Sequence, residues 1–193
     1  MKQQVIQELK ESANVKLQLA EESAETVVTI SDMLADALSE GHTVLFCGNG
    51  GSAADAQHLA AELLGKFKME RKALPAIALT VNTSALTAIA NDYSYDNVFE
   101  RLVEAYGRKG DVLLGISTSG NSKNVAKAIV KAREMGIQTV AFCGLTPGAI
   151  GEKADICLTV PSKDTPRIQE AHITAGHIIC GLIERKLFGD LRQ

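Results

Sequence analysis

The chain has 193 residues with 20 basic and 23 acidic side chains, so its formal net charge is −3. This balance provides no positive field that would favour nucleic acid as a partner, and an anionic ligand must be held by local geometry. Apolar residues make up 46% of the chain, which is enough for the core of one soluble domain. We therefore expect a single globular domain over residues 1–193.

The amino-terminal segment predicts helices and neither a targeting signal nor an anchor. Residues 1–14 are polar and mixed in charge, and no apolar run approaches the roughly 20 residues that span a bilayer. Apolar spacing predicts two helices, over residues 2–24 and 24–39, which end before Gly41. Because both precede the first strand, they cannot be crossovers, and we expect this 1–41 extension to cover a partner subunit. We also expect a cytoplasmic protein without membrane contact.

From residue 42 onward, short apolar runs alternate with helical patterns. Continuous apolar runs of this length are typical of strands buried on both faces of a parallel sheet. The alternation predicts a three-layer, doubly wound α/β fold with right-handed crossovers. The predicted strands are 43–47, 76–80, 112–117, 139–143 and 156–160. The predicted helices are 52–66, 84–90, 95–106, 122–135 and 166–188.

Two of the predicted strands end in loops that suit an anionic ligand. The first loop, 48–52, has three glycines in four positions, so its backbone can approach a ligand closely. Ser52 is expected to cap the following helix, whose free N–H groups favour an anion. The second loop, 117–122, places four hydroxyls around Gly120 before another helix, a neutral cradle for a phosphate. Neither loop has the glycine pattern of a dinucleotide site or an ATP-binding P-loop.

Two helices carry side chains that could do chemistry. His58 and Glu62 are four residues apart and share a helix face, a spacing that suits a metal or a base with its partner. Gln169 and His177 are eight residues apart on the last predicted helix and point in roughly similar directions. His172 fits a functional role equally well on spacing alone. Taken alone, such pairs are more often surface hydrogen bonds or buried core histidines, and spacing leaves the choice open.

Three segments together resemble the phosphoheptose isomerases of the sugar isomerase (SIS) domain superfamily. They read GNGGSAADAQHLAAELLGKF, ALTAIANDYSYDNVFERLVEAYGRKGDVLLGISTSGNSKNV and RIQEAHITAGHII. The resemblance covers essentially the whole chain and implies a flavodoxin-like SIS fold in a homotetramer packed through helices. It implies interconversion of D-sedoheptulose 7-phosphate and D-glycero-D-manno-heptose 7-phosphate, the first step toward nucleotide-activated heptose for surface polysaccharide such as lipopolysaccharide.

The resemblance also implies roles for individual residues. It implies one zinc ion per subunit, with His58, Glu62, Gln169 and His177 as ligands, and it implies Glu62 and His177 as catalytic base and acid. Pro166 stands where relatives carry an acidic residue, so no carboxylate role is expected there. The implied substrate contacts are Asn49, Gly50, Gly51, Ser52, Asn91, Asp92, Ser117, Thr118, Ser119, Ser122 and Gln169.

Two other classes share parts of this pattern. Some non-enzymatic proteins of the same superfamily bind the bacterial replication initiator, and the chain resembles them over residues 48–92. Those proteins tend to lack the acidic residue at the position of Glu62 and the histidine at that of His177. A SIS module that only senses a sugar phosphate is the third class, and it would not need all four ligand types. The sequence therefore favours the enzyme.

Overall fold

In the part of the chain that the structure describes, five short strands form one central parallel sheet. The computed structural model describes residues 1–189, so the last four residues of the predicted 1–193 domain lie outside the described residues. The strand order is β2-β1-β3-β4-β5, the flavodoxin-like order. The strands are β1 (Val44–Gly48), β2 (Ala76–Ala78), β3 (Val112–Ser117), β4 (Gln138–Cys143) and β5 (Ile156–Thr159).

Helices cover both faces of this sheet, as predicted. Of the helices within residues 1–189, α1, α2 and α7 pack on one face, and α3, α4, α5 and α6 pack on the opposite face. A short 3-10 helix, Tyr95–Asn97, precedes α4. The helices are α1 (Lys2–Ser39), α2 (Gly51–Leu64), α3 (Thr83–Asp92), α4 (Val98–Tyr106), α5 (Lys123–Glu134), α6 (Gly148–Gly151) and α7 (Thr165–Phe188).

Successive residues of a strand pack alternately into two separate hydrophobic cores, one on each face of the sheet. On β1, Val44 and Phe46 join the core under α1, α2 and α7, while Leu45 and Cys47 join the core under α4 and α5. Since successive side chains of a strand point to opposite faces, a continuous apolar run is needed to fill both cores. The predicted three-layer, doubly wound fold is therefore confirmed, with helix α6 added between β4 and β5.

The amino-terminal segment differs from the prediction of two helices. It is one continuous helix of 38 residues, α1, which is roughly 57 Å long at 1.5 Å per residue. The segment contains no glycine or proline that would break it, and the junction residue Ser23 is buried with its hydroxyl 3.5 Å from the Thr159 carbonyl. The side chains before Leu19 are at most partly buried, so the first half of α1 extends along the surface.

Among the helices of residues 1–189, none is long and apolar enough to cross a membrane.

Candidate active site

The two loops singled out in the sequence meet at the carboxyl edge of the sheet. Strands β1 and β3 are hydrogen-bonded neighbours, with Gly48 in register with Ile116. The chain leaves β1 toward β2 on one side and continues from β3 toward β4 on the other, so this is the switch point of the sheet. Ligands of open α/β sheets bind at such a point.

The first loop, 48–51, is shaped by glycines. Gly50 has φ +55° and takes the position before α2, which begins at Gly51. A Cβ on Gly51 would lie 2.5 Å from Nε2 of Gln169, so the Gln169 side chain lies directly against this loop. The expectation that Ser52 caps α2 is wrong, because the helix starts one residue earlier and Ser52 is buried inside its first turn.

The second loop, 117–122, gathers its hydroxyls around Ser117. The Ser117 hydroxyl is 2.9 Å from that of Ser122 and 3.3 Å from that of Ser119. Asn121 braces the loop, since its Nδ2 donates to the Ser119 carbonyl and its Oδ1 accepts from the backbone N–H of Ala149. Ser117 is buried, whereas Ser119 is exposed and Thr118 half-buried. This hydroxyl cluster carries no charge and faces the edge where an anion would bind.

Asn91 and Asp92 lie at the end of α3, away from both loops in sequence. Both are exposed, and Nδ2 of Asn91 donates to Oδ1 of Asp92 at 2.9 Å. The segment that follows them carries Tyr95, whose hydroxyl donates to Oδ1 of Asn49 at 2.9 Å. This segment therefore reaches the first loop through Tyr95, a residue that the sequence predictions missed.

His58, Glu62 and His177 form one cluster. Nε2 of His58 lies 3.0 Å from Oε1 of Glu62 and 3.0 Å from Nε2 of His177. One ligand atom from each residue lies within 4.8 Å of the other two, so these three side chains could hold a metal ion. The side chains of His58 and Glu62 remain 47% and 23% exposed, which leaves the cluster open to a substrate.

Gln169 lies at one end of the contact between α2 and α7, and the cluster lies further along it. Gln169 contacts Gly51, and two turns later Gly176 contacts Leu59, so the two helices run in the same direction. From Gly51 to His58 the helix rises about 10 Å. The place of Gln169 among the metal ligands therefore stays a prediction.

Asp55 is a further carboxylate on this face of α2. It follows Gly51 by four residues and precedes His58 by three, so the three side-chain positions share one face. Its Oδ2 is buried and has no hydrogen-bond partner among the described residues. Burial raises the pKa of Asp55, and the neighbouring His58 acts in the opposite direction. The spacing of 51, 55, 58 and 62 was the available signal for this residue.

A buried ion pair holds the loop that covers His177. Glu184 accepts from the backbone N–H groups of Phe67, Lys68 and Met69 and from Nε of Arg71 at 3.0 Å. Nη2 of Arg71 donates to the carbonyl of Glu62. The Phe67 ring stacks on the His177 ring with centroids 5.5 Å apart and an angle of 14°. Glu184 and Arg71 thus support both sides of the cluster.

His172 is a core residue. It is fully buried beside Phe142, and its Nε2 lies 2.9 Å from the Cys143 carbonyl. Burial lowers the pKa of His172 from 6.5 to about 4, although the bond to Cys143 acts in the opposite direction. Of the two histidines that spacing left open on α7, His177 is therefore the one at the candidate site.

Protonation of His172 is expected to destabilise the protein in acid. Between pH 6.5 and about 4, His172 binds a proton in the unfolded chain but not in the folded one. Stability from this residue is therefore present above pH 6.5 and falls as the pH drops to 4, by up to about 3 kcal/mol. Urea unfolding of wild type and His172→Gln across this range measures it, and the variant should lose less stability. Identical pH slopes would contradict the assignment.

Comparison with known proteins agrees with this arrangement. The family model of the SIS domain matches residues 9–144. The phosphoheptose isomerase of Clostridium acetobutylicum is 53% identical over 192 residues, which cover 98% of both chains. Among solved structures, the phosphoheptose isomerase of Neisseria gonorrhoeae matches with a TM-score of 0.90 and 44% identity, covering 95% of this chain and 98% of that one. That of Francisella tularensis matches with a TM-score of 0.91 and 34% identity, covering 95% and 97%.

These similarities each cover 95% or more of the chain. Sequence identity this high over this much of the chain is found between relatives of one family, whereas a common fold alone does not require it. The chain belongs to the SIS domain family and, within it, to the phosphoheptose isomerases.

Proposed function

We propose that this protein is an aldose–ketose isomerase that interconverts D-sedoheptulose 7-phosphate and D-glycero-D-manno-heptose 7-phosphate. The observation that carries the proposal is the His58–Glu62–His177 cluster in a chain that belongs to the phosphoheptose isomerases. The reaction would stand at the start of nucleotide-activated heptose synthesis. A non-enzymatic SIS protein would have no use for a base and two imidazoles gathered in one group that solvent can reach.

The two loops at the sheet edge bind the sugar phosphate. The hydroxyls of the second loop, with the free N–H groups at the start of α5, hold the phosphate. The glycines of the first loop let the substrate lie close to the backbone. The side chain of Gln169 lies against this loop and borders the binding site there. From this edge α2 leads about 10 Å to His58, a length that an extended seven-carbon chain can span. The full set of proposed contacts is Asn49, Gly50, Gly51, Ser52, Asn91, Asp92, Ser117, Thr118, Ser119, Ser122 and Gln169.

Glu62 catalyses the isomerisation by transferring a proton between two carbons of the sugar. As base it removes a proton from C1 of the ketose to give an enediol, and the proton is returned at C2 to form the aldose. Oε1 of Glu62 faces His58, so Oε2 remains for this transfer. His177 acts as the acid and exchanges a proton with the substrate oxygens. Nε2 of His177 faces His58, so if Nε2 held a metal ion, Nδ1 would be the ring nitrogen left to exchange a proton.

The donor set fits zinc. Two imidazole nitrogens and one carboxylate oxygen are a ligand set that many catalytic zinc sites use. Nε2 of His58 lies 3.0 Å from Oε1 of Glu62 and from Nε2 of His177, and all three ligand atoms lie within 4.8 Å of one another. When bound, zinc supplies Lewis-acid polarisation of the substrate carbonyl. His58, Glu62 and His177 would hold it, with Gln169 as the proposed fourth ligand and one ion per subunit.

We also propose that the protein is a homotetramer in the cytoplasm. Val5, Leu9 and Leu17 of α1 are 58%, 66% and 64% exposed, although their spacing is that of a packed helix face. An apolar groove of about 240 Å³ continues this surface between α1 and α7, where Val28 and Ile178 line it. Covering these side chains with α1 and α7 of neighbouring subunits would remove them from water. This surface supports assembly through helices.

The phosphate dependence of turnover tests the function. We expect purified protein to convert sedoheptulose 7-phosphate to the aldoheptose phosphate, with a kcat/KM about 100-fold or more above that for unphosphorylated sedoheptulose. The reason is that the hydroxyls of the second loop and the N–H groups at the start of α5 contribute binding energy only when the phosphate is present. NMR of the sugar signals measures both reactions. Equal rates for the two sugars, or binding of the phosphate ester without any product, would overturn the proposal, and the latter would favour a sensing module.

A further inference from the structure

Asn49 of the first loop is held by two residues that none of the predicted roles includes. Its Nδ2 donates to Oδ1 of Asn124, and Nδ2 of Asn124 donates back to Oδ1 of Asn49, both at 2.9 Å. Oδ1 of Asn49 also accepts from the Tyr95 hydroxyl at 2.9 Å. Asn124 is only 3% exposed, so its amide is not shared with solvent.

A backbone group determines which way this amide pair faces. The N–H of Val125 lies 3.0 Å from the Asn124 side chain, and a backbone N–H can only donate. The atom that it meets must therefore be Oδ1 of Asn124. Nδ2 of Asn124 then faces Asn49 and needs an acceptor there. The Asn49 atom opposite Nδ2 of Asn124 is therefore Oδ1, and the Asn49 atom opposite Oδ1 of Asn124 is Nδ2.

Counting donors and acceptors shows what Asn49 has left. An amide side chain has two N–H donors and an oxygen with two lone pairs. Both lone pairs of Asn49 are used, by Asn124 and Tyr95, and one N–H is used by Asn124. Asn49 therefore retains one N–H, which can bind only an acceptor.

We infer that Asn124 and Tyr95 are positioning residues that fix Asn49 so that its one free N–H points to an oxygen of the sugar phosphate. The inference rests on the proposed function for the identity of that ligand. Asn124 lies on the helix after the phosphate loop, and Tyr95 lies after Asn91 and Asp92. Through Asn49 the three substrate-contacting segments are thus joined in one hydrogen-bond network.

Substitutions that keep the shape of the side chain test this network by kinetics. In Asn124→Asp an acceptor replaces the donor that faces Oδ1 of Asn49, and Tyr95→Phe removes one hydroxyl. We expect KM for sedoheptulose 7-phosphate to rise about 3- to 10-fold in each, with a smaller change in kcat, since one substrate hydrogen bond is misaligned. Gln138→Glu at the opposite end of the sheet and Tyr106→Phe at the end of α4 are matched controls with unchanged KM.

Two further measurements separate positioning from general damage. If Asn124 acts through Asn49, the double variant Asn49→Ala/Asn124→Ala should have the KM of Asn49→Ala alone. In asparagine-labelled protein, Asn124→Asp should shift the side-chain amide signals of Asn49, and Gln138→Glu should not. Additive KM losses or unmoved Asn49 signals would overturn the inference. A wild type that fails to turn over the sugar phosphate would overturn the proposed function alone, because the amide signals still report the network.

Discussion

Glu62→Gln is expected to lower kcat for sedoheptulose 7-phosphate about 10²- to 10⁴-fold while the protein stays folded. Glutamine has nearly the same shape but cannot accept the proton from C1, and placed proton transfer contributes a factor of this size. The side chain is 23% exposed and packs at the edge of the cluster, so little stability depends on its charge. Single-turnover kinetics together with a thermal unfolding curve measure both effects.

Glu70→Gln is the matched control for this substitution. Glu70 is eight residues away, its side chain is 85% exposed and it pairs with Lys66 on the surface. Its removal should leave kcat unchanged. A Glu62→Gln protein with near-normal kcat would show that another group removes the proton, and Asp55 on the same helix face would be the first alternative to examine.

Glu184→Gln is expected to cost about 3–5 kcal/mol of unfolding free energy, the range found when one partner of a buried ion pair is removed. The side chains of Glu184 and Arg71 are each 1% exposed. Burial by itself raises the pKa of Glu184, but the three backbone N–H groups and Arg71 hold it below the usual value. Glutamine would leave Arg71 without a counter-charge and turn an NH₂ group toward backbone donors.

Urea unfolding at neutral pH measures this loss, with Glu134→Gln as the control. Glu134 pairs with Lys131 on the surface, where an exposed pair contributes at most about 1 kcal/mol. Because Glu184 holds the loop with Phe67 over His177, zinc affinity should also fall in Glu184→Gln, and calorimetric titration with zinc reports it. Losses equal to those of Glu134→Gln would contradict the supporting role of the ion pair.

The fold could be predicted largely from local pattern. Each predicted strand overlaps an observed one, because strands buried on both faces need uninterrupted apolar runs. The division of α1 was wrong because the apolar stripe is imperfect near Ser23, and a break in the stripe is not a break in the backbone. The start of α2 was misplaced because a serine is a common cap, whereas here Gly50 adopts a positive φ and takes that place.

Less of the candidate site than of the fold could be predicted from the sequence. His58 and Glu62 are visible as a helical pair, but their meeting with His177 joins positions 119 residues apart, and only the resemblance pointed to it. The supporting residues were missed for the same reason. Glu184 reaches Phe67 across 117 residues, and Asn124 reaches Asn49 across 75. Such contacts follow from the order of the strands and leave no periodic signal.

The most direct test of the central claim is an assay of purified protein with sedoheptulose 7-phosphate as isolated, after removal of metal with a chelator, and after zinc is restored. We expect an aldoheptose 7-phosphate to form, to be lost on chelation and to return with zinc. Turnover that ignores chelation would remove zinc from the mechanism and leave the isomerase. Absence of aldoheptose phosphate in all three states, from protein that is folded, would contradict the proposed function.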